Sequence, residues 1–355
     1  MRLASSLDDP SVISATDPSG MLGLVAGTGE QLRRGFELGR GAPFLPSAEG
    51  IDAVVVCGMG GSGVAGDVLR SAFSDQTRVP IVVVKGYSLP AFCGHNSLVI
   101  VVSYSGNTEE TVAAYTEAVA RECRVVAVSA GGELAALSEA DEIALVRIPD
   151  DTSMPRAALG YLAAAPIGIL ESVEVLPPSA DSVDDAARAL DDLALRLGPD
   201  RSSEENEAKS VAQWFAGRTP FIWGTEGPAE AAALRWKTQL NENAKIPAFH
   251  AVLSELDHNE IEGWSGESAG RFAAVVLRHG REHPRMRARV KASLAALAAS
   301  GLEGREVRAT GSSALAIVFS LVMLGDFVSV YTAILRGVDP TPVPVLMSLK
   351  DRLRE

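Results

Sequence analysis

Ser103, Ser105, Thr108 and Thr111 crowd into one stretch, Ser103-Tyr104-Ser105-Gly106-Asn107-Thr108-Glu109-Glu110-Thr111, where the apolar run 98–102 gives way to an alanine-rich helical pattern. A helix start carries unpaired N–H donors and a positive partial charge, and small hydroxyl side chains add donors without bulk. The pattern therefore predicts a loop that holds a phosphate. The plainer alternative makes Asn107 an N-cap with Glu110 completing a capping box. One cap does not call for four hydroxyls. Glu109 and Glu110 must face solvent if an anion is to bind beside them.

A second loop, Gly58-Met59-Gly60-Gly61-Ser62-Gly63, separates the β-branched run 51–57 from the helical pattern 64–73. Gly58, Gly60 and Gly63 satisfy GxGxxG, but a dinucleotide site also wants an acidic residue at the end of the next strand to hold a ribose hydroxyl. The next run, 81–84, ends in Lys85-Gly86-Tyr87, so NAD is disfavoured and only an NADP variant stays open. The glycines better suit close approach of the main chain to a sugar, with Ser62 as one more donor.

Elements must hold these loops in place. Short apolar runs at 51–57, 81–84, 98–102 and 125–129 alternate with helical patterns such as 109–122, which argues for a parallel sheet covered on both faces. Strand signals stop between 150 and 205. Pro155 and Pro177-Pro178 punctuate that connector, and 182–197 reads as a helix with Ser182 as N-cap, Asp185 three residues on and Gly198 past its end. Strand patterns return at 220–223, 247–251, 271–277 and 306–308, with helices expected at 228–243, 284–299 and 312–335. Phe221-Ile222-Trp223-Gly224-Thr225-Glu226-Gly227 repeats the strand, glycine loop and helix of the first half without the serine cluster, so only the first half keeps a phosphate loop.

The 355 residues suit two domains, and 47% hydrophobic content fills two cores. With 32 basic against 45 acidic residues, the net charge of -13 repels nucleic acid and anionic membrane, and neither is an expected partner. Cys57, Cys93 and Cys123 are odd in number and form no CxxC pair, which argues against disulfides and structural zinc and for a cytoplasmic compartment. Residues 1–10 contain no apolar stretch of the kind a secretory signal needs. The apolar segment 313–335 includes Ser320, Gly325, Asp326, Ser329 and Tyr331, and reads as a buried core helix rather than a membrane span.

Together the two loops resemble the sugar isomerase (SIS) domain, a phosphosugar-binding αβα sandwich. Asn241-Glu242-Asn243-Ala244-Lys245, Glu255-Leu256-Asp257-His258-Asn259-Glu260-Ile261 and the tail from Asp339-Pro340-Thr341-Pro342-Val343 through Leu349-Lys350 narrow the resemblance to the bifunctional phosphoglucose/phosphomannose isomerase family, over residues 50–352. The resemblance implies an α/β fold of two tandem αβα-sandwich SIS domains with parallel sheets. Residues 1–150 would be the first, with a leading helical segment, 151–204 a helical connector, and 205–355 the second with a tail helix. It implies a homodimer that interconverts fructose 6-phosphate with glucose 6-phosphate and mannose 6-phosphate through an enediolate, using neither metal nor other cofactor. Matched residue by residue, it implies phosphate contacts from Ser62, Ser103, Ser105 and Thr108 and a substrate loop at Gly60 and Gly61. Glu242 would be the proton-shuttling base, and His258 would open the sugar ring from the second subunit. Arg156, in Met154-Pro155-Arg156-Ala157, would stabilise enediolate charge, and Lys350 would contact sugar oxygens or assist ring opening.

The residue types fit that chemistry. Moving a proton between C1 and C2 needs one carboxylate that accepts and returns it, and Glu242, near the end of its expected helix, has amides Asn241 and Asn243 to orient it. The bland alternative is a solvated helix-end glutamate. His258 is one of five histidines, in a polar setting where an imidazole can pass a proton, or where it simply sits at a helix start. With Glu260 it lacks a third partner for a metal. Arg156 has the alternative of a salt bridge between the halves, and Lys350 that of a solvated lysine. His279 and His283, among Arg278, Arg281, Arg285 and Arg287, read as a solvated surface segment. Two rival functions remain: an isomerase of another phosphosugar, and a non-catalytic phosphosugar sensor or scaffold. A sensor has no use for Glu242 with His258.

Overall fold

Valine-rich runs become strands because β-branched side chains fit a pleated surface buried on both sides. In the computed structural model, which describes residues 7–152, 154–264 and 269–353, three helices come first: α1 (Pro10–Thr16), α2 (Met21–Ala26) and α3 (Thr28–Arg40). There follow β1 (Ala53–Cys57), α4 (Gly60–Phe73), β2 (Ile81–Val84), β3 (Ser97–Ser103), α5 (Glu109–Ala120), β4 (Arg124–Ser129), α6 (Gly132–Ala140) and β5 (Ala144–Arg147). The strands form one parallel sheet in the order β2-β1-β3-β4-β5. Alternate residues serve opposite faces: Val54 and Val56 join the core beneath α4, while Val55 and Cys57 pack with Ala114, Tyr115 and Leu134 of α5 and α6.

The stretch after β5 is helical, with α7 (Leu159–Ser172) and α8 (Ala180–Leu197). α7 is buried all round and packs on α3 so closely that a Cβ on Gly39 would lie 2.1 Å from the Ala165 carbonyl oxygen. α8 starts at Ala180, earlier than expected, with Ser179 rather than Ser182 at its N-cap position. Asp185 does not cap α8. It accepts hydrogen bonds from Ser312 Oγ at 3.1 Å and from the Ser313 N–H at 2.9 Å, tying α8 to the segment before the long core helix.

The second half contains α9 (Glu207–Phe215), β6 (Thr219–Gly224), α10 (Pro228–Glu242), β7 (Phe249–Val252), α11 (Leu253–Leu256), β8 (Phe272–Arg278), α12 (Pro284–Ala299), β9 (Gly304–Arg308), α13 (Ala314–Leu335) and α14 (Pro344–Leu353). Its sheet is parallel in the order β7-β6-β8-β9, which repeats β2-β1-β3-β4. α13 is long and apolar enough to cross a bilayer, yet its most apolar window is wholly buried against α4, α8, α9 and α10. It is the core helix expected, and one apolar core runs through it from β1 and β3 to β6 and β8. Trp236 fixes α10 there: the indole is fully buried and donates to the Leu321 carbonyl at 2.7 Å. Truncating such a side chain to alanine costs about 3–5 kcal/mol.

Candidate active site

In an open parallel sheet, ligands bind outside the carboxyl ends of strands where the chain order reverses. β1 lies between β2 and β3, so the loops that leave β1 and β3 part at such a point. The first is the glycine loop. Its helix, α4, begins at Gly60 with no side-chain cap, and Ser62 is buried in its first turn. The second is the serine loop, where Ser103 Oγ bonds Thr108 Oγ1 at 3.3 Å and accepts the Gly106 N–H at 3.2 Å, and Ser105 Oγ accepts the Asn107 N–H at 3.3 Å.

Asn107 is not the N-cap. Thr108 holds that position without a side-chain cap bond, and Asn107 Oδ1 instead accepts the Glu133 N–H of α6 at 2.9 Å, so the hydroxyls are not used up in capping. Gly106 makes this bracing possible, with φ 69 and no space for a Cβ, which would lie 1.8 Å from the Gly131 carbonyl oxygen. Thr111 Oγ1 is buried without a hydrogen-bond partner among the described residues. Glu109 is exposed and Glu110 half-buried, which eases their repulsion of an anion.

Arg156 adjoins the glycine loop: a Cβ on Gly61 would sit 3.4 Å from its Cα. The guanidinium is buried and its donors are directed. Nε bonds Asn243 Oδ1 at 2.8 Å, and Nη2 bonds the carbonyls of Pro340 at 2.8 Å and Thr341 at 2.7 Å. Nη1 faces Glu242 Oε2 at 3.7 Å. Burial pushes the guanidinium down from its ordinary value, and Glu242 opposes that shift. Glu242 ends α10, as expected, so a helix of the second half delivers a carboxylate beside the loops of the first. Arg235 braces the pair from behind. It donates to the Arg156 carbonyl at 2.6 Å and forms a buried ion pair with Asp326 of α13 at 2.9 Å.

His258 and Lys350 are placed otherwise. His258 is exposed in the turn after α11, and its ring makes no hydrogen bond or ion pair among the described residues. Its neighbour Asp257 is engaged elsewhere, with Arg289 at 2.9 Å and Ser293 at 2.8 Å. Lys350 is exposed on α14, where Val345, Leu346, Met347, Leu349 and Leu353 are open as well. Within one chain, therefore, Ser62, Ser103, Ser105, Thr108, Gly60, Gly61, Arg156 and Glu242 gather around one end of the first sheet, while His258 and Lys350 lie on open surface.

The equivalent reversal in the second sheet lies between β6 and β8, and it is filled from within. The Glu282 carboxylate accepts Thr225 Oγ1 at 2.9 Å, the His279 N–H at 3.0 Å, and Arg278 Nε and Nη2 at 2.8 and 2.7 Å. A side-chain anion thus stands where the first half has its glycine and serine loops. Arg278 and His279 are consequently buried, contrary to the solvated segment expected; Arg281, His283, Arg285 and Arg287 are exposed.

Residues 51–162 match the SIS domain model, and 204–353 match the model of the bacterial phospho-glucose isomerase C-terminal SIS domain. A bifunctional phosphoglucose/phosphomannose isomerase of Caldicellulosiruptor bescii is 38% identical over 92% of this chain and 96% of its own. The chain belongs to the bifunctional phosphoglucose/phosphomannose isomerase family. A second relative of that name, from Aquifex aeolicus, is 32% identical over 85% of this chain and 90% of its own. The fold also matches the crystal structure of a hypothetical protein from Thermus thermophilus, with TM-score 0.71 at 16% identity, covering 99% of this chain and 92% of that one.

In this member of the isomerase family, the amides expected to orient Glu242 are engaged elsewhere, Asn243 with Arg156 and Ser329 and Asn241 with the Ile246 carbonyl. Sequence reasoning passed over Lys245, although it stands in the same motif. It also passed over Arg235, whose signal was a lone charge in the apolar stretch Ala233-Leu234-Arg235-Trp236.

Proposed function

We propose that this chain is a phosphohexose isomerase that interconverts fructose 6-phosphate with glucose 6-phosphate and mannose 6-phosphate. The observation that carries the reading is the Glu242 carboxylate beside the buried Arg156 at the edge of the glycine loop. The substrate phosphate would take the hydroxyls of Ser62, Ser103, Ser105 and Thr108 and the free N–H groups at the starts of α4 and α5. Glu242 then removes a proton from C2 of the aldose and returns it to C1, giving the ketose, and the steps reverse in the other direction. Arg156 faces the charge that builds on the enediolate oxygens. Glucose and mannose 6-phosphates differ only at C2, so one enediolate serves both.

The reading includes a cytoplasmic homodimer in which His258 of a second copy passes a proton from the anomeric hydroxyl to the ring oxygen, with Lys350 near the sugar oxygens. An exposed His258 and an open apolar face on α14 support that arrangement. The three free cysteines suit the compartment.

The test is turnover of glucose 6-phosphate and mannose 6-phosphate by protein freed of contaminating isomerases, beside Glu242→Gln. Turnover abolished by the substitution is expected. Wild-type protein that binds hexose phosphate but converts neither aldose would make it a sensor instead.

A further inference from the structure

Lys245 lies three residues past Glu242 and turns back to its main chain. Its ammonium donates to the main-chain carbonyls of Glu242 at 2.5 Å, Asn243 at 3.3 Å and, across the fold, Pro340 at 2.9 Å. The Pro340 carbonyl also accepts Arg156 Nη2, and Arg156 Nη1 faces the Glu242 carboxylate. These contacts close a ring that begins at the main chain of Glu242 and returns through Lys245, Pro340 and Arg156 to its side chain.

We propose that Lys245 is a positioning residue that sets Glu242 against Arg156 by pinning the last turn of α10 to the 339–341 segment. The proposal rests on the isomerase reading of Glu242. Helix capping alone does not account for this lysine. A cation satisfying the last carbonyls of its own helix can do so from solvent, whereas this one is partly buried and bonds a residue 95 positions on. It also sits beside a second cation: burial, and after it Arg156, push the ammonium down to about 8. The backbone of Lys245 is left-handed, at φ 55, a conformation that glycine adopts more readily. Asp339 and Glu242 pull the ammonium the other way without offsetting burial, so the position keeps a side chain that neither the turn nor the burial of its charge favours.

Two variants separate the side chain from the backbone. Lys245→Gly suits the left-handed turn and removes the ammonium, while Lys245→Met keeps most of the stem and removes only the donors. Each is measured for melting temperature and for kcat and KM with fructose 6-phosphate. Both are expected to stay folded and to lose about tenfold to a hundredfold in kcat, the penalty of a slightly misplaced catalytic group. KM should hold within about twofold, because the phosphate loops are untouched. A folded variant with wild-type kcat, a rise in KM alone, or loss of fold in both variants would overturn the proposal while leaving the isomerase reading intact. An inactive wild type would instead overturn that reading and the proposal with it.

Discussion

Arg156 Nη1 lies 3.7 Å from Glu242 Oε2, and the guanidinium side chain is 4% exposed where the carboxylate side chain is 27% exposed. The arginine is immobilised by an amide and two carbonyls, yet the gap to the glutamate is too long for a hydrogen bond. Glu242 thus sits near a fixed positive charge while its lone pairs stay open to a substrate proton.

Arg156→Lys keeps the charge but cannot reproduce the fork of donors. The expected result is a kcat lower by about a hundredfold, as for loss of one transition-state donor. Stability in urea should fall as well, by about 1–3 kcal/mol for each buried acceptor left without a partner. Wild-type kcat in this variant would contradict the assigned role.

Lys245 couples pH to activity and stability with opposite signs. Arg156, Asp339 and Glu242 are the charged groups that act on it, and with burial they leave its value near 8 against 10.5 for an ordinary lysine. Above 8 the ammonium is lost and kcat should fall. Over the same window, from 8 to 10.5, the folded state escapes the penalty of a buried charge, so this group's contribution to stability rises with pH. A pH–rate profile and urea melts compared with Lys245→Met check both signs; an alkaline limb identical in the variant would assign it to another group.

Glu282 supplies a stability test far from the chemistry. Burial opposes its ionisation, but hydrogen bonds from Arg278, the His279 main chain and Thr225 outweigh burial and hold the carboxyl below its usual value. Its stabilisation is present above the ordinary carboxylate range and is lost as pH falls through the lowered value. Glu282→Ala should destabilise by up to about 3–5 kcal/mol, the range for a buried charge left unpaired, reduced because Arg278 keeps Glu306 at 2.7 Å. Added phosphate should recover part of the loss by occupying the vacated donors. A melting temperature indifferent to phosphate would show that the second loop is not an anion cradle.

If His258 completes the site of a partner copy, defects in Glu242 and His258 fall in different sites of a mixed dimer. Glu242→Gln and His258→Ala proteins, each inactive alone, should then recover about a quarter of wild-type activity when refolded together in equal amounts, since half the dimers are mixed and each has one intact site. No recovery would place His258 in the same site as its own chain's Glu242, or in none.

The loops and the helix that ends at Glu242 were legible in the sequence because they are local: strand, glycine or serine turn, helix start. α7 was not, since a helix buried all round has no polar face to give it a period, and Pro166 disguises it further. The basic run 278–287 misled for a related reason. Spacing along the chain cannot reveal that Glu282 folds back onto Arg278 and His279, or that Glu306 arrives from β9. Arg156 and Pro340 are 184 residues apart, and their hydrogen bond, like the ring through Lys245, exists only in the folded chain.

Solvent exchange tests the central claim most directly. Fructose 6-phosphate incubated with enzyme in deuterium oxide, and followed by NMR, reports whether a protein carboxylate moves the C1 proton. Wild-type protein should place deuterium at C1 of the ketose and at C2 of newly formed glucose and mannose 6-phosphates, while Glu242→Gln binds the ketose and exchanges nothing. Exchange by Glu242→Gln at the wild-type rate would contradict the account.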